Sequence, residues 1–426
     1  MKLRFPSFVA LSAGLAITLA GCSACQSGGG SGGGPSGVTA EESFQSVIPA
    51  LLSKWNIPGG SVALARNGSI VLAEGYGVAD KSGPSAVTAD SLFRLASLSK
   101  PVTAAAVLKL YEAGSLDLDA KVFDILTGIE PPAGASVDAR LAAITVRDLL
   151  RHSGGWDRTV SFDPMFRSRE IAAALGVAPP ADAAAIIRYM KGQPLDHDPG
   201  TRYAYSNFGY CLLGRVIERV SGQSYGSYVR GAVLAPAGAG GMVLGRSLEA
   251  DRAAGEVAYY DYTGAPLARS VFDSGPAEVP WPYGGFALEP LDANGGWLAS
   301  ASDLLRFLLA VDGRAVPADI LQPATIALMV DRPPLAEYQS SVSYYALGWQ
   351  VRPTSTDANW WHTGSLPGTA TIMVRTAGGL GWVALFNSRP ESADAFLSEL
   401  DSELWRAVNA VTDWTAAAAS PTRAGR

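Results

Sequence analysis

The stretch from residue 61 to residue 73 contains two runs of strand-forming residues around an Asn-Gly pair: Ser61-Val62-Ala63-Leu64-Ala65-Arg66, Asn67-Gly68 and Ser69-Ile70-Val71-Leu72-Ala73. Asn-Gly between two such runs is the strongest short-range signal for a two-residue hairpin, because both central residues of that turn need a positive φ. We therefore expect an antiparallel hairpin that starts a β-sheet.

Further strand-like segments lie far downstream, at 345–351, 371–375 and 381–386. Apolar residues at helical spacing precede the hairpin within 44–51, and a second helical pattern covers 396–408. Both ends of the chain are therefore predicted to build one antiparallel sheet of five or more strands, flanked by an N-terminal and a C-terminal helix.

The middle of the chain must form a second lobe. The 426 residues, 48% of them hydrophobic, exceed the size of roughly 250–300 residues at which a single core stops growing. Between the two strand-rich ends, helical patterns alternate with loops rich in proline and glycine. We predict an α+β fold (an α/β sandwich) with a sheet domain at 38–119 and 341–411, an inserted mainly helical domain at 120–340 and a flexible tail at 412–426.

The first 21 residues have the pattern of a signal peptide. Two basic residues precede an apolar run, Phe8 to Leu19, that is shorter than the ~20 residues of a membrane-spanning helix. The following Ala20-Gly21-Cys22 resembles the lipobox of bacterial lipoproteins, which implies lipidation of Cys22; an ordinary secretory signal is the alternative. We expect export and lipid anchoring in the cell envelope, facing the periplasm or the outer surface, with the Gly/Ser-rich residues 22–37 as a tether.

Charge and cysteine content exclude several classes of function. The net charge is −6, whereas a nucleic-acid partner needs a basic face. The three cysteines, Cys22, Cys25 and Cys211, are too few for a disulfide framework. Neither a second Cys-x-x-Cys pair nor a His-Glu-x-x-His motif completes a zinc site. We therefore expect neither nucleic acid nor a metal ion as a partner.

Ser97-Leu98-Ser99-Lys100 is the first motif with catalytic potential. Pro101 follows it, and proline is tolerated only in the first turn of a helix, so a helix must begin close to Ser97. Ser97 and Lys100 then lie on one helical face. A serine hydroxyl needs a neighbouring base to attack a carbonyl, and a desolvated lysine can be neutral enough to serve. An N-capping serine beside a solvated lysine is the alternative interpretation.

Two further motifs lie downstream. In Tyr205-Ser206-Asn207 the phenol can relay a proton to a leaving group and the amide can hold a substrate carbonyl, whereas a loop with aromatic packing is the alternative. In His362-Thr363-Gly364, followed by Ser365, an extended segment can bind an acyl group by strand addition, and glycine lets a ligand approach closely. An ordinary surface histidine is the alternative for His362.

In this order and at these separations, the three motifs resemble the active site of the penicillin-recognising serine hydrolases, in the branch of class C β-lactamases, D,D-carboxypeptidases and family VIII esterases. The resemblance extends from about residue 43 to residue 408. It implies a β-lactamase/transpeptidase-like fold with the active site between the sheet domain and the helical domain, and it implies neither a metal nor an organic cofactor.

The resemblance also implies a role for each matching residue. Ser97 would form the acyl-enzyme, while Lys100 and Tyr205 would share the general base and acid work. Substrate would contact the Asn207 amide and the strand that carries His362, Thr363 and Gly364. The backbone N–H groups of Ser97 and Ser365 would form the oxyanion hole.

The third motif departs from the β-lactamase pattern, in which Lys-Thr-Gly is usual. The last lysine of the chain is Lys191, and Lys81-Ser82-Gly83 lies before the nucleophile, so neither can supply that motif. Neutral imidazole binds a carboxylate less well than an ammonium group does. We therefore expect an ester or a D-amino-acid peptide of cell-wall type as the substrate, with a true class C-like β-lactamase as the alternative.

Two other classes of protein fit parts of the sequence. An α/β-hydrolase carries its serine in Gly-x-Ser-x-Gly after a strand. Of the two matches, Gly29-Gly30-Ser31-Gly32-Gly33 lies in the tether and Gly222-Gln223-Ser224-Tyr225-Gly226 follows a helical pattern. An inactive penicillin- or peptidoglycan-binding sensor lipoprotein is the other rival, but it has no need of a complete set of Ser97, Lys100 and Tyr205. The sequence therefore favours a serine hydrolase.

Overall fold

The computed structural model describes residues 37–415. The signal peptide, Cys22 and almost all of the tether therefore lie outside the described residues, as does most of the C-terminal tail. The α-helices of the described part are α1 Ala40–Trp55, α2 Ser99–Glu112, α3 Val122–Ile125, α4 Val146–Leu150, α5 Ser168–Leu175, α6 Ala183–Met190, α7 Asn207–Ser221, α8 Tyr225–Val229, α9 Ala301–Leu309, α10 Pro323–Met329 and α11 Ala393–Ala410. Within residues 37–415, no helix combines the length and the apolar character that crossing a membrane requires.

The strands divide into a long set at the two ends of the described chain and a short set between them. They are β1 Gly59–Arg66, β2 Ser69–Gly77, β3 Phe93–Arg94, β4 Val243–Leu244, β5 Tyr260–Asp261, β6 Ala268–Arg269, β7 Glu278–Val279, β8 Trp297–Ala299, β9 Tyr344–Tyr345, β10 Gln350–Pro353, β11 Ala358–Leu366, β12 Thr369–Arg375, β13 Leu380–Phe386 and β14 Ser388–Arg389.

One seven-stranded sheet unites both ends of the chain, in the order β2-β1-β13-β12-β11-β10-β9, and all its neighbouring pairs are antiparallel. The predicted hairpin joins β1 to β2, with Arg66 opposite Ser69. Its turn residues have the expected positive φ, 50° at Asn67 and 84° at Gly68. The prediction of an antiparallel sheet of five or more strands is confirmed.

The outer face of this sheet is covered by α1 and α11, one helix from each end of the chain. Phe44 of α1 and Phe396 of α11 are fully buried there, in one apolar cluster with Trp382 of β13. Side chains alternate along β1, so that Val62 and Leu64 join this cluster while their neighbours face the other side. Both faces of the central strands are therefore buried.

The inner face packs against α2, α9 and the residues inserted between β2 and β9. This segment contains short strands as well as helices: β8 pairs with both β3 and β4 in a small three-stranded sheet. The helix expected near Ser97 starts as a 3₁₀ turn, Ala96–Leu98, that runs directly into α2. Almost every side chain of α2 is buried, so its N-terminus meets the sheet in the interior of the molecule.

Candidate active site

Ser97 lies in the 3₁₀ turn Ala96–Leu98, where α2 meets β11. Ala96 has a φ of +50°, a left-handed conformation that is uncommon for residues other than glycine. The backbone N–H of Leu95 donates to the carbonyl of Trp297 at 2.8 Å, which ties the turn to β8. The surrounding structure therefore holds Ala96 in an unusual backbone conformation. The Ser97 side chain that follows it is half-buried.

The Lys100 ammonium or amine group has three oxygen neighbours. Its Nζ lies 3.0 Å from Oγ of Ser97 and donates to Oδ1 of Asn207 and to the backbone oxygen of Asn294, both at 2.8 Å. A neutral amine has two N–H donors and one lone pair. If Asn207 and Asn294 accept the two N–H groups, the lone pair faces the Ser97 hydroxyl, as a general base requires.

The electrostatics of Lys100 favour this neutral form. Burial, and after it the positive charge of Arg158, hold the pKa of Lys100 well below its ordinary value, while Asp163 acts in the opposite direction. The alternative of a solvated lysine is therefore wrong, because Lys100 is fully buried.

Tyr205 approaches the nucleophile as a proton donor. Its hydroxyl donates to Oγ of Ser97 at 2.8 Å. Burial raises the pKa of Tyr205 to about 12, although Arg158 and the hydrogen bond with Ser97 act to lower it. At neutral pH the phenol is protonated, so a candidate base, Lys100, and a candidate acid, Tyr205, both contact one hydroxyl.

Asn207 connects the lysine to a carboxylate. Its Oδ1 accepts from Lys100, and its Nδ2 donates to Oδ2 of Asp163 at 2.6 Å. Asn207 is the first residue of α7, whose N-cap Ser206 accepts from the backbone N–H of Gly209. The amide oxygen thus binds Lys100 and the amide nitrogen binds Asp163. A contact of Asn207 with a substrate amide stays a prediction.

His362 lies on β11 but is only 4% exposed, so the alternative of an ordinary surface histidine is wrong. Nδ1 lies 2.7 Å from the backbone oxygen of Thr363, which makes Nδ1 the protonated nitrogen, and Nε2 lies 3.0 Å from the Tyr345 hydroxyl. Burial is the main cause that lowers the pKa of His362 to about 3. The imidazole is therefore neutral; its substrate contact, like that of Thr363, stays a prediction.

The edge of β11 beside Ser97 is open to a ligand strand. β10 pairs with β11 only from Ala358 to Trp361, so residues 362–366 have no strand partner on that side within the described chain. A half-paired strand of this kind suits substrate binding by strand addition. The role of the backbone N–H groups of Ser97 and Ser365 as the oxyanion hole stays a prediction.

Gly364 serves a purpose other than the expected one. A Cβ on it would lie 2.3 Å from Oγ1 of Thr371 and 2.5 Å from the carbonyl oxygen of Leu95. The space at Gly364 is thus filled by the turn that precedes Ser97, not left for a ligand. The sequence-based reason for this glycine is corrected: it allows β11 to approach the nucleophile turn.

His152 belongs to none of the three motifs, yet it supports both sides of the site. It is buried, has a φ of 57°, and its Nδ1 accepts from the backbone N–H of Ser206 at 3.1 Å. Its ring centroid lies 4.2 Å from that of Tyr205 and 4.5 Å from that of Tyr345. His152 therefore packs between the acid and the tyrosine that holds His362.

No sequence motif indicated Asp163 or Arg158 as residues of the site. The Arg158 guanidinium lies 4.7 Å from the centroid of the Tyr205 ring, and its Nη1 is 4.0 Å from Oδ2 of Asp163. Both residues lie in a loop without helical or strand periodicity. Only their contacts with Tyr205 and Asn207 relate them to the chemistry.

Ser224, the rival nucleophile within the described chain, lacks catalytic surroundings. It is the exposed N-cap of α8, follows α7 rather than a strand, and donates to Oγ of Ser227 at 2.8 Å. The α/β-hydrolase interpretation of this motif is therefore wrong; Ser31 lies outside the described residues. Within residues 37–415, no cluster of three or more His, Cys, Asp or Glu side chains could hold a metal ion.

Comparison with known families assigns the chain. The Beta-lactamase family model matches residues 44–402, and the chain belongs to this family.

Among curated proteins, the chain is similar to a putative fimbrial assembly protein FimD, serogroup D, of Dichelobacter nodosus, with 32% identity over 256 residues, 60% of this chain and 57% of that protein. The chain thus spans little more than half of that relative. Two solved structures show the same fold: a D-amino acid amidase of Ochrobactrum anthropi SV3 (TM-score 0.66, 23% identity, 87% of this chain and 98% of that one) and a D-alanine carboxypeptidase AmpC of Burkholderia cenocepacia (TM-score 0.64, 20%, 87% and 99%). The family and these hydrolase neighbours support a serine hydrolase of β-lactamase fold.

Proposed function

We propose that the protein hydrolyses an acyl substrate through a covalent acyl-enzyme on Ser97. The observation that carries the proposal is the convergence on one hydroxyl of Lys100 Nζ at 3.0 Å and Tyr205 OH at 2.8 Å. A buried, neutral amine can take the Ser97 proton, which frees Oγ to attack a carbonyl.

The proton balance of the acylation step follows from these two contacts. Oγ of Ser97 bonds to the carbonyl carbon as its proton passes to Lys100. When the bond to the leaving group breaks, the Tyr205 phenol gives its proton to that group, and the proton held by Lys100 replaces it. Water then attacks the acyl-enzyme, its proton returns through Lys100 to Oγ, and the acid product leaves.

We infer that the substrate is an ester or a D-amino-acid peptide rather than a β-lactam. In support, the neutral and buried His362 offers no charge to a β-lactam carboxylate at the position where β-lactamases usually have lysine. The names of the structural neighbours, an amidase and a carboxypeptidase for D-amino acids, agree with this direction.

Covalent trapping and a substrate panel test the proposal. Purified protein should be labelled by a fluorophosphonate at Ser97, as mapped by peptide mass spectrometry. It should then turn over short-chain p-nitrophenyl esters or D-Ala-D-Ala peptides faster, in kcat/KM, than nitrocefin. Labelling elsewhere in the chain would contradict the proposed nucleophile, while faster turnover of nitrocefin would favour the class C-like β-lactamase.

We also propose that Cys22 is lipidated and anchors the protein in the cell envelope. The support is the lipobox-like sequence, together with the length of the Gly/Ser-rich segment between Cys22 and α1. Each CH₂ group of an acyl chain that is buried in the membrane contributes ~0.8 kcal/mol to membrane binding. A serine at position 22 carries no acyl chain and cannot supply this free energy. Cys22→Ser should therefore move the protein from the membrane to the soluble fraction in detergent-free buffer; unchanged fractionation would point to another anchor.

A further inference from the structure

Arg158 lies one aromatic ring away from the nucleophile. Its guanidinium is 4.7 Å from the centroid of the Tyr205 ring, whose hydroxyl donates to Oγ of Ser97. The Arg158 side chain is 30% exposed, so it is also accessible from solvent. It is thus a partly exposed cation next to the proposed acid.

Hydrogen bonds of its neighbour Asp157 hold the turn that carries Arg158. The carboxylate of Asp157 accepts from the backbone N–H of Thr159 at 2.9 Å and from its hydroxyl at 2.6 Å, while Nε2 of His197 lies 3.1 Å from the other oxygen. The backbone N–H of Asp157 donates to Asp196 at 2.8 Å. Arg158 is therefore positioned by the fold itself.

Arg158 differs from the other basic groups of the site in its charge. Burial lowers the pKa of both Lys100 and His362, whereas a guanidinium keeps its charge. Asp163 lies 4.0 Å from Arg158 and is itself engaged by Asn207. A guanidinium presents five N–H donors in a planar fork, a geometry that matches a carboxylate.

We propose that Arg158 is a specificity-determining residue that binds a carboxylate on the leaving group of the substrate. The favoured substrates are then esters or amides whose leaving group is anionic, as is the C-terminal residue of a peptide. The leaving-group side follows from Tyr205, which lies between Arg158 and Ser97 and gives its proton to the leaving group. The assignment rests on the proposed acyl-enzyme mechanism.

Two acetate esters with matched leaving groups test the assignment in the full chain: 3-carboxyphenyl acetate, which is anionic, and 3-carbamoylphenyl acetate, which is neutral. The measured quantity is the ratio of their kcat/KM values, which cancels any general effect on Tyr205. Arg158→Met should lower this ratio by about 10-fold or more, the size expected for loss of a charge-assisted hydrogen bond. Arg158→Lys should lower it less, and Arg158→Glu should lower it most.

Arg352→Met is the matched control. Arg352 also stacks on an aromatic ring, 5.7 Å from the Trp361 centroid, but Trp361 packs against the outer face of the sheet. Its substitution should leave the ratio unchanged. High salt should lower the ratio for the wild-type protein but not for Arg158→Met.

A second substrate pair, phenyl hemisuccinate and phenyl butyrate, moves the carboxylate to the acyl group. The assignment would be overturned if Arg158→Met left the kcat/KM ratio of the leaving-group pair unchanged. A change in the ratio of the acyl-group pair alone would also overturn it. If Ser97 is still labelled by a fluorophosphonate in that case, the acyl-enzyme proposal stands and only the role of Arg158 is wrong. Absence of Ser97 labelling in the wild-type protein would overturn both.

Discussion

The two walls of the candidate active site present different kinds of groups. The helical wall, formed by α2, the start of α7 and the loop 157–163, carries the ionisable groups and links them by side-chain hydrogen bonds from Ser97 through Lys100 and Asn207 to Asp163. The sheet wall, formed by residues 362–366 of β11, presents backbone, and its one ionisable side chain is neutral. In the proposed mechanism, the helical wall transfers protons and the sheet wall aligns the substrate.

Substitution of the nucleophile should have the largest effect on the helical wall. Ser97→Ala removes the proposed acyl-accepting hydroxyl, so turnover should fall by at least about 10³-fold and fluorophosphonate labelling should disappear. Ser224→Ala, at an exposed helix cap, should retain both. Retained labelling in Ser97→Ala would move the chemistry away from this wall.

Lys100→Arg should have the second-largest effect on activity, because arginine stays protonated and cannot accept the Ser97 proton. We expect kcat/KM to fall by about 10²–10⁴-fold, the usual contribution of general base catalysis.

The pH profile of the wild-type protein on a neutral ester should reflect a deprotonated Lys100 and a protonated Tyr205. A base works only when unprotonated, so activity is present above the pKa of Lys100 and is lost as the pH falls through it. Since burial lowers that pKa, the acid limb should lie well below the ordinary lysine value of 10.5. On the alkaline side, activity should be lost only near pH 12, where Tyr205 ionises. An acid limb at the ordinary lysine value would contradict a buried base.

On the sheet wall, Gly364→Ala should act through packing. The added Cβ would collide with Thr371 and with the Leu95 carbonyl, so the free energy of unfolding should fall by about 1–3 kcal/mol and activity should fall with it. Gly378→Ala, where the nearest atom would be 3.9 Å away, is the control and should have little effect in a denaturant titration. Equal behaviour of the two variants would contradict the close approach of β11 to the nucleophile turn.

His362→Gln should give the smallest change. Glutamine is neutral like the buried imidazole and can still hydrogen-bond to Tyr345, so we expect kcat/KM to fall less than about 10-fold, the cost of one ordinary hydrogen bond. The ratio between anionic and neutral substrates should not move, in contrast to Arg158→Met. A shift in that ratio would mean that the sheet wall senses substrate charge after all.

Local patterns in the sequence were sufficient for the features that depend on near neighbours. The Asn67-Gly68 turn needs only two residues with positive φ, and Pro101 restricts where α2 can begin. A spacing of three residues on one helix brings Ser97 and Lys100 together whatever surrounds them. The order of the three motifs, and the family that they indicated, then predicted the fold.

Tertiary structure alone decided the features that depend on distant segments. The pKa of Lys100 is lowered because α2 is buried, and Lys100 reaches Asn207 and Asn294 across separations of 107 and 194 residues. Arg158 enters the site through a turn that has no periodicity of its own. His362 is buried against Tyr345, and Gly364 is needed because another loop fills the space beside it. Spacing along one element determines which side chains share a face, whereas burial and charge depend on what the rest of the chain packs against that face.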